Sequence, residues 1–492
     1  MQYSDTVPTL IIIAHGINLF CLLILIRSGI QILFDHPKLY WTDNTKADNH
    51  WLRFGKKIMP KNELWTSLDE SEDPPKFALP GGNHNLGSGR HWHFSAAIIW
   101  TATGMVYMWY LFSTGNWRRL IPTDWGIFSR AIDVIVDYLT LNPPSPESIP
   151  GHYNAVQQLS YGSVVFILTP IMILSGLALS PALVARFPGF LKLFGNRRQA
   201  ARSIHFLGMV GFSLFILVHV TMALVFHFAD SIKRITLGSA DASWPLALTL
   251  FITMLSLLLA FNIWASIFTL KDQVRLRRIL TRFYVPLNRL LFGWMSSRQH
   301  YKKKDISPFF RVNGYPPKTA EYQKLKEDDF KDFKLKVYGE VEEKIALSLE
   351  EIKSMEKQTQ ITKHHCIQGW TAVAEWSGIP MRDLMSLCRP NKKANYVIFH
   401  CFDEDPKGRE YYVGLRLSDM LDQQTILAYE MNGKKLPIQY GAPLRLRCEK
   451  KLGYKMAKFI HSIEFVERFD KIGEGRGGYR EDTVFFDWEA NI

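Results

Sequence analysis

Residues 204–226 read IHFLGMVGFSLFILVHVTMALVF and contain no Asp, Glu, Lys or Arg. A helix needs about 20 apolar residues to cross the hydrocarbon core of a bilayer, so this stretch predicts a membrane-spanning helix. Four more apolar stretches of similar length lie outward from it, at about 8–33, 92–113, 157–180 and 244–270. Buried helices of soluble proteins are rarely so long and so uniformly apolar, so the first 300 residues predict a membrane bundle of five helices.

Basic residues mark one side of this predicted bundle. Residues 1–300 contain 26 Lys and Arg against 16 Asp and Glu, with the excess concentrated in 181–203 and 271–298. Both segments lie on the side opposite the amino terminus, which we call side B; the amino-terminal side is side A. The positive-inside rule predicts that side B is cytoplasmic. The net charge of +13 is therefore mainly an orientation signal, and we expect no nucleic-acid partner.

Composition excludes other classes of protein. An aromatic content of 13% is too high for a disordered chain. The residues before the first apolar stretch lack the basic residues of a cleaved signal peptide, so we expect this stretch to remain as a span. The cysteines are odd in number and unclustered, which excludes a disulfide framework and a CxxC metal site: Cys21, Cys366, Cys388, Cys401 and Cys448.

Four histidines stand out because polar side chains are costly inside a bilayer. His15 lies in the first span, His93 at the start of the second, and His205 and His219 in the fourth. A separation of 14 residues returns to within about 40° of one helix face and covers about 21 Å. The topology pairs His93 with His205 toward side B and His15 with His219 toward side A, which suits the axial ligands of two haems. The alternative is a histidine that only hydrogen-bonds to a neighbour. The other histidines are competitors (His91, His227) or are expected to be solvated in loops (His36, His50, His84, His152).

Residues 8–228 resemble the b-type cytochrome subunits of membrane formate dehydrogenases and nickel–iron hydrogenases. The matching motifs are AHGINLF, SGIQILFDHPKLYW, GRHWHF, GHYNAVQQLSYG and FGNRRQAARSIHF, followed by VHV. The family's axial ligands fall on the same four histidines. The resemblance implies two haem b groups and electron exchange with membrane quinone. The fifth span departs from the four-span members, so the position of their quinone site does not carry over.

After Arg298 the sequence becomes soluble in character. FKLKVYGEV alternates as a strand, YVIFHCF reads as a buried strand, and Asn432-Gly433 in TILAYEMNGKKLPI predicts a hairpin turn. SLEEIKSM and SGIPMRDLMSLC predict short helices, so the domain is mixed α+β with sheet predominating. Cys366 stands out because it follows His364 and His365, whose charge, where present, would lower the pKa of its thiol. The alternative is an inert cysteine of the core, which is the favoured interpretation for Cys388 and Cys448.

Residues 305–492 resemble the molybdopterin-binding domain of the sulfite oxidase family, which includes bacterial methionine sulfoxide reductase catalytic subunits. SPFFRVNGYPP, HHCIQGWTAVAEWSGIP, LAYEMNGKKLP, YGAPLRLR and LGYKMAKFIHSIEFVERF occur in the family's order. The resemblance implies that Cys366 is the molybdenum ligand and catalytic centre. It also implies cofactor contacts from Asn313, Arg445, Lys455 and Lys458, although Arg445 has the alternative of a charge on a strand face.

Some positions depart from the family pattern. Tyr440 replaces the Asn or His that many relatives carry before GAP, and Cys401 replaces a Thr of the reductases. Val312 and Gly314 flank Asn313, where sulfite oxidases have an arginine and a histidine. These departures are compatible with cofactor binding and leave the substrate open.

The sequence therefore predicts a membrane all-α bundle of five spans (1–275), a basic linker (276–304) and a soluble mixed α+β, sheet-rich domain of the sulfite oxidase type that binds molybdopterin (305–492). We expect two-electron oxo transfer on a small oxo compound, with electrons exchanged with membrane quinone through two haem b groups. Covalent attachment would replace docking by a high effective concentration.

Loop charge and the absence of a twin-arginine leader predict a molybdopterin domain on the cytoplasmic side of a bacterial inner membrane. Two other functions remain open. One is a haem electron conduit with a non-catalytic carboxyl-terminal domain. The other is a quinone-linked metal reductase that uses the haems alone.

Overall fold

The computed structural model describes residues 6–46, 48–60, 62–80, 86–142, 153–292, 299–483 and 488–492. Its first half is helical. The helices are α1 (Thr9–Asp35), α2 (Leu86–Thr114), α3 (Ile127–Leu139), α4 (Ala155–Ala178), α5 (Pro181–Arg186), α6 (Arg198–Phe226), α7 (Phe228–Leu237), α8 (Trp244–Lys271) and α9 (Gln273–Phe292).

Five of these helices are long and apolar enough to cross a membrane: α1, α2, α4, α6 and α8. They coincide with the five predicted spans, which confirms the predicted membrane bundle. The largest difference is at α2, which begins at Leu86 rather than near residue 92. This extension contains Gly, Ser and Arg, which hydropathy does not detect.

Helix α9 occupies much of the predicted basic linker. Leu276 and Leu280 are buried on it and pack in one cluster with Trp92 and Ala96 of α2. A basic sequence with an apolar stripe can therefore bind along the bundle as an amphipathic helix. The boundaries of the linker and of the two domains stay predictions.

The second half contains two five-stranded sheets. The strands of these sheets are β3 (Lys334–Gly339), β4 (Ile345–Ser348), β5 (Gln358–His365), β6 (Thr371–Pro380), β7 (Tyr396–Glu404), β8 (Glu410–Arg416), β9 (Thr425–Met431), β10 (Lys434–Lys435), β11 (Arg445–Cys448) and β12 (Ile460–Val466). One sheet has the order β10-β9-β6-β5, with β11 also paired to β9, and the other has the order β4-β3-β12-β7-β8. A short pair, β1 (Lys38–Leu39) and β2 (Leu52–Arg53), lies between α1 and α2.

Short helices join these strands: α10 (Ala320–Glu327), α11 (Leu349–Ser354), α12 (Met381–Cys388), α13 (Leu417–Met420) and α14 (Tyr479–Thr483). The sheet-rich α+β prediction is confirmed. The hairpin turn lies where it was predicted, because Asn432 and Gly433 both have the positive φ, 53° and 73°, that a two-residue turn needs. Strands β5 and β6 form a second hairpin that places Cys366 directly after β5.

The loop between α1 and α2 packs against the sheet domain through buried charge. Glu70 forms ion pairs with Lys38, at 2.6 Å, and with Arg311 of the sheet domain, and all of these side chains are buried. Arg311 also donates to the Tyr40 hydroxyl at 2.8 Å and to Thr45 Oγ1 at 3.1 Å. One carboxylate therefore neutralises two buried cations from both halves of the chain.

Replacing this carboxylate should weaken the junction. Glu70→Ala leaves Lys38 and Arg311 buried without their partner, and an uncompensated buried charge costs about 3–5 kcal/mol. We expect a lower melting temperature of the purified full-length protein and faster proteolytic release of the sheet domain. Glu63→Ala is the control because Glu63 is exposed on the same loop. Equal melting temperatures for the two variants would contradict the role assigned to Glu70.

Candidate functional site

The two histidines toward side B face each other across the bundle. His93 of α2 and His205 of α6 have ring centroids 6.2 Å apart and ring planes inclined by 67°. Two imidazoles that bind one iron ion from opposite sides, at about 2 Å each, have centroids about 6 Å apart. The gap between the rings therefore has the size required for a shared metal ion.

The pair toward side A has the same spacing. His15 of α1 and His219 of α6 have ring centroids 6.3 Å apart, with planes inclined by 49°. Phe215 stacks on His219 at 5.5 Å, and the Tyr161 hydroxyl lies 3.3 Å from its Nδ1. The structure thus brings together the four predicted histidines in the two predicted pairs, while their role as ligands stays a prediction.

A serine supports each ring toward side B. Oγ of Ser28 lies 3.0 Å from Nδ1 of His93, and Oγ of Ser175 lies 3.0 Å from Nδ1 of His205. Each hydroxyl donates to the backbone carbonyl four residues earlier, at 2.6 Å, so its oxygen accepts the hydrogen of Nδ1. Both rings then keep an unprotonated Nε2, which is the nitrogen available to a metal.

Glycines follow both serines and leave room for the rings. A Cβ at Gly29 would lie 3.5 Å from Cε1 of His93, and a Cβ at Gly176 would lie 3.3 Å from Cε1 of His205. The repeated Ser-Gly pair, at 28–29 and 175–176, is therefore a signal that the sequence analysis missed. It could have been found by looking for the same dipeptide in the membrane-spanning helix that precedes each of these two histidines.

The prediction that His36 is a solvated loop residue is wrong. Its side chain is 1% exposed, stacks on Tyr40 at 5.8 Å and lies 3.8 Å from Glu70. Burial lowers the pKa of His36 well below its usual value, so the residue is neutral at physiological pH. The loop looks polar in sequence, but the sheet domain covers it. His84 and His152 lie outside the described residues.

Cys366 lies in the turn after β5 and is 3% exposed. Nδ2 of Asn313 lies 3.5 Å from its sulfur, and the sulfur lies 3.7 Å from Oε1 of Gln368. Ser67, on the loop between α1 and α2, donates to Oδ1 of Asn313 at 2.6 Å. The predicted residues Cys366 and Asn313 are thus adjacent, and a residue of the membrane half holds one of them.

The expected effect of His364 and His365 on Cys366 is wrong. Burial lowers the pKa of both histidines well below the usual value, so neither is charged near neutral pH. Burial also raises the pKa of the Cys366 thiol to about 12. The free Cys366 thiol is therefore protonated near neutral pH, and a metal ion bound to the sulfur would displace that proton.

The three predicted basic contacts have different surroundings. Arg445 is buried, which lowers its pKa to about 9. Lys458 donates to the backbone carbonyl of Asn313, and burial followed by the charge of Arg445 lowers its pKa to about 7. Lys455 instead forms a buried ion pair with Glu481. The structure groups Arg445 and Lys458 with Asn313 and gives Lys455 a separate partner.

Buried polar atoms around the Cys366 turn indicate a missing partner. Within the described part of the chain, the atoms there that make no hydrogen bond include Arg198 Nε, Gln199 Oε1, His365 Nδ1, Trp370 Nε1, Thr371 Oγ1, Trp376 Nε1 and Arg445 Nε. Buried polar atoms are rarely left without a hydrogen bond in native proteins. A polar organic group attached to a sulfur-bound metal supplies hydrogen-bond partners of the kind these atoms lack, so the residues present are compatible with a molybdopterin cofactor.

Two family models match separate parts of the chain. Residues 6–238 match the model of prokaryotic cytochrome b561, and residues 322–471 match the model of the oxidoreductase molybdopterin binding domain. The two matches fall on the helical half and on the sheet domain respectively.

Similar proteins each match part of the chain. A putative protein-methionine-sulfoxide reductase subunit of Azospira oryzae is 32% identical over 202 residues, covering 40% of this chain and 71% of the relative. A protein-methionine-sulfoxide reductase catalytic subunit of Xanthomonas axonopodis pv. citri is 35% identical over 164 residues, covering 31% of this chain and 49% of the relative. The corresponding subunit of Campylobacter jejuni is 31% identical over 151 residues, covering 28% and 51%. The chain thus spans about half the length of the catalytic subunits that it matches.

Proposed function

Because the chain belongs to the prokaryotic cytochrome b561 family and carries an oxidoreductase molybdopterin binding domain, we propose that it is a membrane molybdenum oxidoreductase that exchanges electrons with membrane quinone through two b-type haems. One observation carries the proposal. Two imidazole pairs with centroids 6.2 and 6.3 Å apart lie at two levels of a bundle whose side B loop packs on the domain that contains Cys366.

Four histidines would hold the haems in this proposal. His93 and His205 would bind the iron of the haem toward side B, and His15 and His219 that of the haem toward side A. The supporting serines keep Nε2 of the first pair free of hydrogen, so these rings are prepared for a metal before it binds.

The residues around Cys366 would hold the molybdenum cofactor. Cys366 would bind the metal through its sulfur, while Asn313, Arg445 and Lys458 would contact the organic part and Lys455 would support the fold beside them through Glu481. When bound, the cofactor supplies transfer of an oxygen atom coupled to two electrons. The surrounding side chains orient the sulfur and keep bulk water away from it.

The relatives' names indicate a direction for the reaction. Because three of them are named for protein methionine sulfoxide, we propose that this chain reduces an oxo compound, with sulfoxides as the first class to test. A quinol supplies two electrons and two protons, and the substrate oxygen leaves as water. The overall reaction converts quinol and XO into quinone, X and water.

Basic residues support a cytoplasmic position for the sheet domain in a bacterial inner membrane. The loop 181–203 contains five basic residues and no acidic ones, and 271–298 contains seven basic residues against Asp272 alone. Both flanks are on side B, and the sheet domain follows the second of them.

The number of haems can be counted directly. We expect purified protein to contain two b-type haems, and His219→Ala to lose one of them because the side A iron loses an axial ligand. Pyridine haemochrome absorbance per protein, with low-spin signals in electron paramagnetic resonance, measures this. His227→Ala is the control, since His227 lies in the same region but outside the pairs. Retention of both haems in His219→Ala would refute the side A pair.

The molybdenum reaction can be tested through the haem bands. After anaerobic reduction by quinol, sulfoxides, N-oxides and sulfite are added separately, and we expect one class to reoxidise the haems. Cys366→Ala should abolish this reoxidation and leave the haem spectrum unchanged, whereas Cys388→Ala, a buried cysteine of α12, should retain it. Protein with two haems and no molybdenum would instead favour the electron conduit.

Sidedness can be tested by fusing a reporter after Ile492. We expect a reporter that works only in the cytoplasm to be active, because the basic flanks keep side B there. A reporter that is active only in the periplasm would overturn this orientation. Fusion in the loop between α2 and α3, on side A, gives the opposite control.

A further inference from the structure

The turn after Cys366 rests on the two helices that carry the side B histidines. Nη1 of Arg90 donates to the carbonyl of Ile367 at 3.1 Å. Nη1 of Arg198 and Nε2 of Gln199 both donate to the carbonyl of Gly369, at 2.7 and 3.0 Å. Arg90 is in the second turn of α2, and the other two residues begin α6.

The turn itself is tightly closed on Cys366. The Gly369 amide donates to the Cys366 carbonyl at 3.1 Å, and the Cys366 amide donates to the Trp370 carbonyl at the same distance. Gly369 has φ +104°, which residues with a side chain rarely adopt. A movement of the Gly369 carbonyl is therefore transmitted to the backbone of Cys366 within three residues.

The side chains that hold the turn are themselves fixed. Arg198 is 3% exposed and its Nη2 donates to the Leu179 carbonyl, just after α4, at 2.8 Å. Gln199 is fully buried, and its backbone amide donates to Asp43 at 2.9 Å. The Arg198 side chain is thus held at a second point, and Gln199 is held through its backbone and by burial of its side chain.

The same residues lie close in sequence to the predicted haem ligands. Arg90 precedes His93 by three residues, which is about 4.5 Å along a helix. Arg198 and Gln199 precede His205 by seven and six residues, about 10 Å. The backbone at Cys366 is therefore linked to both side B histidines through one hydrogen bond and a short length of helix.

We propose that Arg90, Arg198 and Gln199 are positioning residues that set the distance between the cofactor at Cys366 and the haem toward side B. This rests on the proposed function. With both cofactors bound, a haem would pass one electron at a time across this gap, so two transfers would be needed for the two electrons of each oxygen transfer. Because electron transfer slows steeply with distance, small displacements of the turn change the rate of crossing without changing either cofactor.

The junction has a separate anchor, which makes the proposal testable. The ion pairs of Glu70 with Lys38 and Arg311 hold the loop between α1 and α2 on the sheet domain. The same loop contacts the turn at one further point, where Nε2 of Gln368 donates to the Ser67 carbonyl at 3.3 Å, and this contact does not use Arg198 or the side chain of Gln199. Removing one contact to the turn should therefore loosen the turn while the two halves stay attached.

The test compares Arg198→Ala and Gln199→Met with Arg197→Ala in the full-length protein. Gln199→Met keeps the size of the side chain and removes the donor, and Arg197 is an exposed neighbour of the same type. The haem is photoreduced by a flash with a deazaflavin donor, and its absorbance is followed as the electron passes to molybdenum. Pulsed electron paramagnetic resonance measures the distance between Mo(V) and the ferric haem.

We expect electron transfer from haem to molybdenum to be about tenfold slower in Arg198→Ala and Gln199→Met. Loss of one buried hydrogen bond to the Gly369 carbonyl should let the turn 367–369 populate conformations displaced from α6. The measured distance should be longer or more widely distributed, while haem spectrum, haem potential and molybdenum content stay as in Arg197→Ala. Unchanged rate and distance in both variants would overturn the inference. Wild-type protein without molybdenum or without the side B haem would overturn the proposed function, and this inference with it.

Discussion

Two imidazole pairs form at two levels of one bundle, and their contacts bring together the helices that carry them. His205 and His219 lie on α6, so α2 must approach it toward side B and α1 toward side A. The pairs reach centroid distances of 6.2 and 6.3 Å, and α4 packs against α6 as well. Ser175 and Tyr161 of this helix contact the rings of α6. The bundle is thus arranged around positions that a metal would occupy.

The junction between the halves buries charged side chains, so each of them needs a protein partner of opposite charge in place of water. Lys38 and Arg311 share the carboxylate of Glu70, and Ser67 reaches Asn313 beside Cys366. A polar loop of the membrane half therefore forms one wall of the candidate molybdenum site. Fusion of the two halves does more than raise a local concentration, since each half completes the surroundings of the other.

Local sequence patterns predicted the secondary-structure elements well where a physical requirement acts on a short stretch of sequence. The five spans and the Asn432-Gly433 hairpin are confirmed, because a bilayer imposes a minimum length and a two-residue turn imposes positive φ. The histidine pairs were predictable because helix rise converts a spacing of 14 residues into two levels. His36 and the histidines before Cys366 were predicted wrongly. The sequence predicted a solvated His36 and a charged His364 and His365, whereas the packing of distant segments buries all three imidazoles and makes them neutral.

The sequence by itself determined the membrane bundle, the candidate metal ligands and the identity of the second domain, since apolar length, intramembrane histidines and ordered motifs act locally. Only the tertiary structure decided which residues surround those ligands. The serines behind His93 and His205, Ser67 beside Asn313, and Arg198 under Gly369 join positions far apart in the chain. No local period encodes such contacts, because each arises where two segments distant in the chain pack together and must satisfy each other's buried polar groups.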